Sequence, residues 1–129
     1  MIFIDTGPFL ARYIKTDDYH LTALTGWNRL KSQPEKILTS NFVLDETFSL
    51  LARRSTYPFA AETARNIYAS AGIVILRPEL ADEQTAVTLF EKFADQAVSF
   101  TDCVSFALMR KHRIKTVFKT GLPLYPFSD

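Results

Sequence analysis

Four short runs rich in β-branched and apolar residues punctuate this chain: Met1–Ile4, Lys36–Thr39, Ile73–Leu76 and Thr116–Phe118. Between them lie longer stretches in which apolar residues recur every three or four positions. Strands separated by stretches of this length cannot be joined as tight hairpins, and parallel pairing needs a crossover, usually helical. The alternation therefore predicts an α/β fold with helices packed on a parallel sheet. Ile73–Leu76 is wholly apolar, which predicts a central strand.

Helix signals fit between these runs. Thr6 or Gly7 can cap a turn after the first strand, with Pro8 suited to a first helical position. Asp17-Asp18 can open a helix reaching about Lys31, with Leu21, Leu24, Trp27 and Leu30 as its apolar positions. Ser40 or Asn41 can cap the next, whose apolar face is Val43, Thr47, Leu50 and Leu51. Tyr57-Pro58 reads as a break, followed by a helix from Phe59 to Ala71 that stops at Gly72. Glu79 to Phe93 is helical, with Leu80, Val87, Leu89, Phe90 and Phe93 as apolar surface, and a last helix runs from Thr101 to about His112.

At 129 residues and 47% hydrophobic content the chain suits one compact domain, 1–129. No apolar run approaches the roughly 20 residues that span a bilayer. The N-terminus lacks the flanks of a signal peptide. The single cysteine, Cys103, rules out an internal disulfide and reads as a small core residue. A soluble, cytoplasmic protein is the expectation. A net charge of +1 does not announce a nucleic-acid binder. Arg53-Arg54 and Arg110-Lys111-His112-Arg113 each close a helix, where cations are favourable in any case; contact with phosphate is the alternative.

Three acids occupy comparable places. Asp5 ends the first apolar run, where open α/β sheets put their ligands. It could equally cap the following turn. Glu46 lies three residues after Val43 and four before Leu50, so it shares their core-facing side of the helix. A carboxylate there needs a cation, a hydrogen-bond donor or water. Asp102 opens the last helix in Ser99-Phe100-Thr101-Asp102, a capping-box pattern. Capping does not exclude function, because a capped helix start is a rigid mount. Clustered carboxylates repel, and a divalent ion relieves that repulsion; all-oxygen ligation suits Mg²⁺ or Mn²⁺. Asp45, Asp82 and Asp95 read as structural or solvated charges. His20 and His112 fall on polar helix surfaces with no zinc-like spacing. Ser49 and Ser105 lack a histidine in a triad-like context. An aspartyl-phosphate role for Asp5 is disfavoured because Thr6-Gly7-Pro8 follows, with no second aspartate.

The opening Met1-Ile2-Phe3-Ile4-Asp5-Thr6, the segment Leu38 to Thr47 with Glu46, and Leu89 to Phe93 followed by Ser99-Phe100-Thr101-Asp102 together resemble a PIN domain, and more closely a toxin of the VapC type. The resemblance implies a three-layer α/β/α fold with a mainly parallel sheet of four or five strands. It implies a Mg²⁺- or Mn²⁺-dependent endoribonuclease that hydrolyses RNA by an activated water, a homodimer, and an antitoxin partner that covers the active site. It carries Asp5, Glu46 and Asp102 over as metal ligands and catalytic acids, with Thr6 and Thr101 in support. One departure stands out: Val117-Phe118-Lys119-Thr120-Gly121 puts Gly121 where the family has a fourth aspartate. Asp129 is near in sequence, and Lys119 could weaken the metal or contact RNA phosphate. The departure implies a weaker second metal, and its alternative is a degenerate PIN-like module that binds RNA or a protein without catalysis.

Overall fold

The structure, a computed structural model, describes residues 1–120. The expectations placed on Gly121 and Asp129 lie outside the described residues. Strands β1 (Ile2–Ile4), β2 (Ile37–Ser40), β3 (Ile73–Leu76) and β4 (Thr116–Phe118) alternate with helices α1 (Thr6–Tyr13), α2 (His20–Ser32), α3 (Asn41–Arg54), α4 (Tyr57–Ala69), α5 (Leu80–Lys92) and α6 (Phe100–Lys111). A 3-10 turn, Ala94–Gln96, precedes α6. All strand pairs are parallel, in the order β3-β2-β1-β4.

The sheet's centre is β2 and β1, and β3 is an edge. That corrects the central placement expected for Ile73–Leu76. Phe3 and Ile4 in β1 are wholly buried, whereas Val74 in β3 is 37% exposed. A short apolar run reports that a strand is covered, but pairing on both sides depends on strand order. Register aligns the strand ends: Phe3 pairs with Leu38 and with Val117. Thr39 Oγ1, itself buried, donates to the carbonyl of Ile4 at 2.9 Å. The carboxyl ends of β1, β2 and β4 thus lie side by side.

The main core joins Phe3, Ile4, Phe9, Trp27, Leu38, Val43 and Leu44. A second cluster lies between α5 and α6, around Leu89, Cys103, Val104 and Leu108. Cys103 is buried there as expected. Trp27 donates from Nε1 to the Pro8 carbonyl at 3.0 Å, which ties α2 to the start of α1.

Several element boundaries differ from expectation for local reasons. Helix α2 starts at His20 because Asp17 is used otherwise. It accepts from the Tyr19 amide at 2.9 Å and pairs with Arg54 at 3.2 Å. The buried residues of α2 are Ala23, Trp27 and Leu30, while Leu21 is exposed. His20 is half-buried, and its Nδ1 lies 2.6 Å from the Ala11 carbonyl rather than on a polar surface. Tyr57-Pro58 starts α4 instead of breaking the chain: Thr56 caps it through Oγ1, and proline is tolerated in a first turn. In α5 the inward residues are Asp82, Ala86 and Leu89, so Leu80, Val87 and Phe90 face out. Asp82 is drawn in because it closes a capping box with Glu79 and accepts from Lys111 at 3.0 Å. The Glu79 amide is the main reason that the Asp82 carboxyl lies below its ordinary range.

Candidate metal centre

Asp5 is the first residue after β1, and its amide continues the ladder by donating to the Phe118 carbonyl at 3.0 Å. It is also the N-cap of α1, one of the two readings the sequence left open for it, in place of Thr6 or Gly7. Its Oδ1 accepts from the Thr6 amide at 2.9 Å. Capping and a place at the carboxyl edge of the sheet therefore coincide in one side chain. Backbone hydrogen bonds on both sides of its Cα hold it still.

Glu46 is half-buried on α3, whose start is fixed by Ser40 Oγ accepting from the Val43 amide at 3.1 Å. Its neighbours Val43, Leu44 and Thr47 are wholly buried, while Asp45 faces solvent. Asp102 is the third residue of α6. The expected capping box is present: Asp102 accepts from the Ser99 amide at 2.9 Å through Oδ2, and its own amide donates to Ser99 Oγ at 3.0 Å. The box engages only one of the two carboxylate oxygens.

The three acids feel one another. Burial pushes the Asp5 carboxyl up from 3.8 to about 6; the charges of Asp102 and, less strongly, Glu46 push the same way. The Thr6 amide and the Lys119 ammonium oppose them. Lys119 follows β4 directly, and β4 pairs with β1, so its place beside Asp5 is built into the sheet. Gly7 admits this segment: a Cβ there would collide with the Thr120 side chain.

The donors present fit a hard divalent cation. They are carboxylates of like charge around a half-buried aspartate, a set whose repulsion a cation relieves. Thr6 Oγ1 and Asn41 Oδ1 are buried near the ends of β1 and β2 without a hydrogen-bond partner. Buried polar oxygens without partners call for an ion, a ligand or water. Among the described residues no three His, Cys, Asp or Glu side chains form a group that could hold a metal ion. Asp102 and Glu46 act on Asp5 through their charge and not as a ready-made cage. A Mg²⁺ ion, which keeps several waters, would need only one or two of these carboxylates. Of the supporting residues, Thr6 is buried beside Asp5 and Thr101 is half-buried beside Asp102.

Asn41 is the residue that sequence reasoning missed as a site candidate, having been read only as a possible helix cap. Ser40 takes the cap. The available signal was its place immediately after β2, equivalent to that of Asp5 after β1.

A parallel sheet flanked by helices, with acids from separate elements near its carboxyl edge, defines an α/β protein with a candidate acidic site. More closely, the chain belongs to the PIN-domain family, whose model matches residues 2–121. It is similar to the protein named 23S rRNA-specific endonuclease VapC20 in two strains of Mycobacterium tuberculosis. Identity is 35% over 118 residues, covering 92% of this chain and 87% of each relative. It is also similar to the crystal structure of Mycobacterium tuberculosis VapC20, described as a Sarcin-Ricin loop cleaving toxin. The TM-score is 0.85 at 32% identity, over 94% of this chain and 90% of the other. Among the described residues the expected α/β fold is present, with a parallel sheet of four strands flanked by helices.

Proposed function

We propose that this chain is a Mg²⁺- or Mn²⁺-dependent endoribonuclease toxin that hydrolyses phosphodiester bonds of RNA, with Asp5, Glu46 and Asp102 as its metal-binding and catalytic acids. A VapC-type RNA hydrolase follows from the PIN-domain match and from the likeness to VapC20 across nearly the whole chain. Ribosomal RNA is the substrate class that this likeness favours. The observation that carries the site is the placement of Asp5, fixed at the carboxyl end of β1 as the cap of α1 beside the unpartnered Thr6 Oγ1, where the charges of Asp102 and Glu46 reach it.

A bound divalent cation supplies an activated water and neutralises charge on the phosphate. The chain's own residues do the rest. Asp5 and Asp102 would hold the ion from two rigid mounts, one a strand end and one a capped helix. Glu46 would orient a water and accept its proton. Lys119 lies on the side of Asp5 where it offsets negative charge, a position suited to a phosphate oxygen. An antitoxin that covers the acids, and a homodimer, belong to the same proposal. Among the described residues no helix is long and apolar enough to cross a membrane.

The test is cleavage of ribosomal RNA with Mn²⁺ by the native chain and by Asp5→Asn, Glu46→Gln and Asp102→Asn. Each variant is expected to lose on the order of 10²-fold or more in rate. Equal rates in native and variant proteins would reject the site. Cleavage by none of them, with Mn²⁺ binding intact, would favour the degenerate module.

A further inference from the structure

Helix α1 leads away from the acids, with Asp5 as its N-cap and Arg12 in its last turn. At 1.5 Å of rise per residue the helix separates the two by about 10 Å. Arg12 is half-buried and is held by rings. Its guanidinium carbon lies 4.7 Å from the ring centre of Trp27 and 5.5 Å from that of Tyr13. Trp27 is a fixed base for it. The indole is buried, its Nε1 donates to the Pro8 carbonyl at 3.0 Å, and its ring packs on Phe9 at 5.4 Å and edge-on against Phe118 at 5.6 Å. Phe118 carries the stack back to the acids. Its carbonyl accepts from the Asp5 amide, and Lys119 follows it in the chain.

Other cations of the fold have carboxylate partners: Arg54 pairs with Asp17, and Lys111 with Asp82. Arg12 has none among the described residues. A cation in a last helical turn suits the helix dipole, and an arginine stem covers apolar surface. Stacking does more than either. It fixes the plane of the guanidinium and the direction of its N–H fork, so less side-chain entropy is lost when the fork takes a ligand. That fork matches the oxygens of a phosphate. Its distance from Asp5 sets it beside the strand that flanks a phosphodiester at the acids, and not at that phosphodiester.

We infer that Arg12 binds a backbone phosphate of the RNA, next along the strand from the bond that is cut. The contact goes to phosphate oxygens, so it holds the strand without reading its sequence. It rests on the ribonuclease reading for the identity of the polymer and takes no part in the reaction at phosphorus.

The test separates binding from cleavage. Fluorescein-labelled single-stranded RNA is titrated against the full chain in EDTA over a series of salt concentrations, with anisotropy as readout. Arg12→Met keeps an unbranched stem over Trp27 and removes the charge. It is expected to bind about tenfold more weakly whatever the RNA sequence, and the slope of log K against log salt should shrink by about one. Lys36→Met removes the same charge just before β2, at the amino end of the sheet, and should leave both quantities near native. Arg12→Lys should restore the slope and only part of the affinity, because an ammonium lacks the fork. Melting curves verify that the variants fold; if Arg12→Met does not, Arg12→Gln takes its place. Equal losses in Arg12→Met and Lys36→Met would overturn the contact, because that is bulk charge alone. So would a slope that stays low in Arg12→Lys, because that is lost packing on Trp27. Arg12-dependent binding in EDTA without cleavage in Mn²⁺ leaves the contact standing and removes the ribonuclease reading; cleavage by a chain whose RNA binding ignores Arg12→Met does the reverse.

Discussion

Asp5 shows how much one residue can be asked to do. It caps a helix, ends a strand, and holds a carboxylate whose ionisation is opposed by burial and by two other acids. The consequence for stability has a definite sign. In the unfolded chain this carboxyl ionises near 3.8, and in the folded chain near 6. The folded state therefore holds the proton more tightly. The group costs nothing below about pH 4, and its cost is fully present above about pH 6. Its size is on the order of 2–3 kcal/mol. Asp5→Asn, which keeps the acceptor for the Thr6 amide, should melt several degrees above the native protein at pH 8 in EDTA. At pH 4 the two should melt together. Mn²⁺ at pH 8 should close the gap by stabilising only the native protein. Thermal melts at both pH values decide this; a native protein that is the more stable at pH 8 without metal would contradict the burial of Asp5. Sequence placed Asp5 at a strand end and named its two possible roles. It could not tell which of Asp5, Thr6 and Gly7 takes the cap of α1, because that depends on what lies across β1.

At the scale of elements, the caps and the close approaches carry the weight. The Ser99–Asp102 box fixes the start of α6. Ser99→Ala removes the hydroxyl that accepts from the Asp102 amide and should cost about 1 kcal/mol of stability; the Ser99 amide still reaches the Asp102 carboxylate, so Mn²⁺ binding should weaken only as far as the first turn of α6 frays. Calorimetric titration with Mn²⁺ beside a melting curve separates the two effects. A variant that is less stable but binds Mn²⁺ unchanged would show the box to be structural only. A second close approach lies between α2 and β4. A Cβ on Gly26 would stand 2.5 Å from the ring of Phe118, and Phe118 packs edge-on against Trp27. Gly26→Ala should therefore destabilise the protein by about 1–3 kcal/mol, readable as a lower denaturant midpoint, although alanine is the better helix former. The capping box was legible in Ser99-Phe100-Thr101-Asp102 because it is a local pattern of four residues. The Gly26 contact was not, because it joins residues far apart in the chain. Helix α5 shows the same limit: its apolar residues announced a helix, but Leu80, Val87 and Phe90 face outward while Asp82 faces in and pairs with Lys111.

Across the whole molecule, apolar side chains remain at the surface after the core is filled, among them Tyr57, Tyr68, Leu80 and Val87, each more than half exposed. Together with the family resemblance they support a homodimer, and light scattering at micromolar concentration should return twice the 14.7 kDa chain mass. A monomer at that concentration would contradict it. The order β3-β2-β1-β4 decides what surrounds Asp5. It places β1 between two partners and sets the ends of β2 and β4 on either side of Asp5.

The amino-acid sequence by itself determined the kind of elements, their order along the chain, and the three acids worth watching, because periodicity and capping are written in near neighbours. Only the tertiary structure decided which strand lies inside the sheet, which face of α5 is buried, and that Asn41 is left with a buried oxygen and no partner. Those outcomes depend on contacts between segments far apart in the chain, and no local pattern encodes which of them will meet.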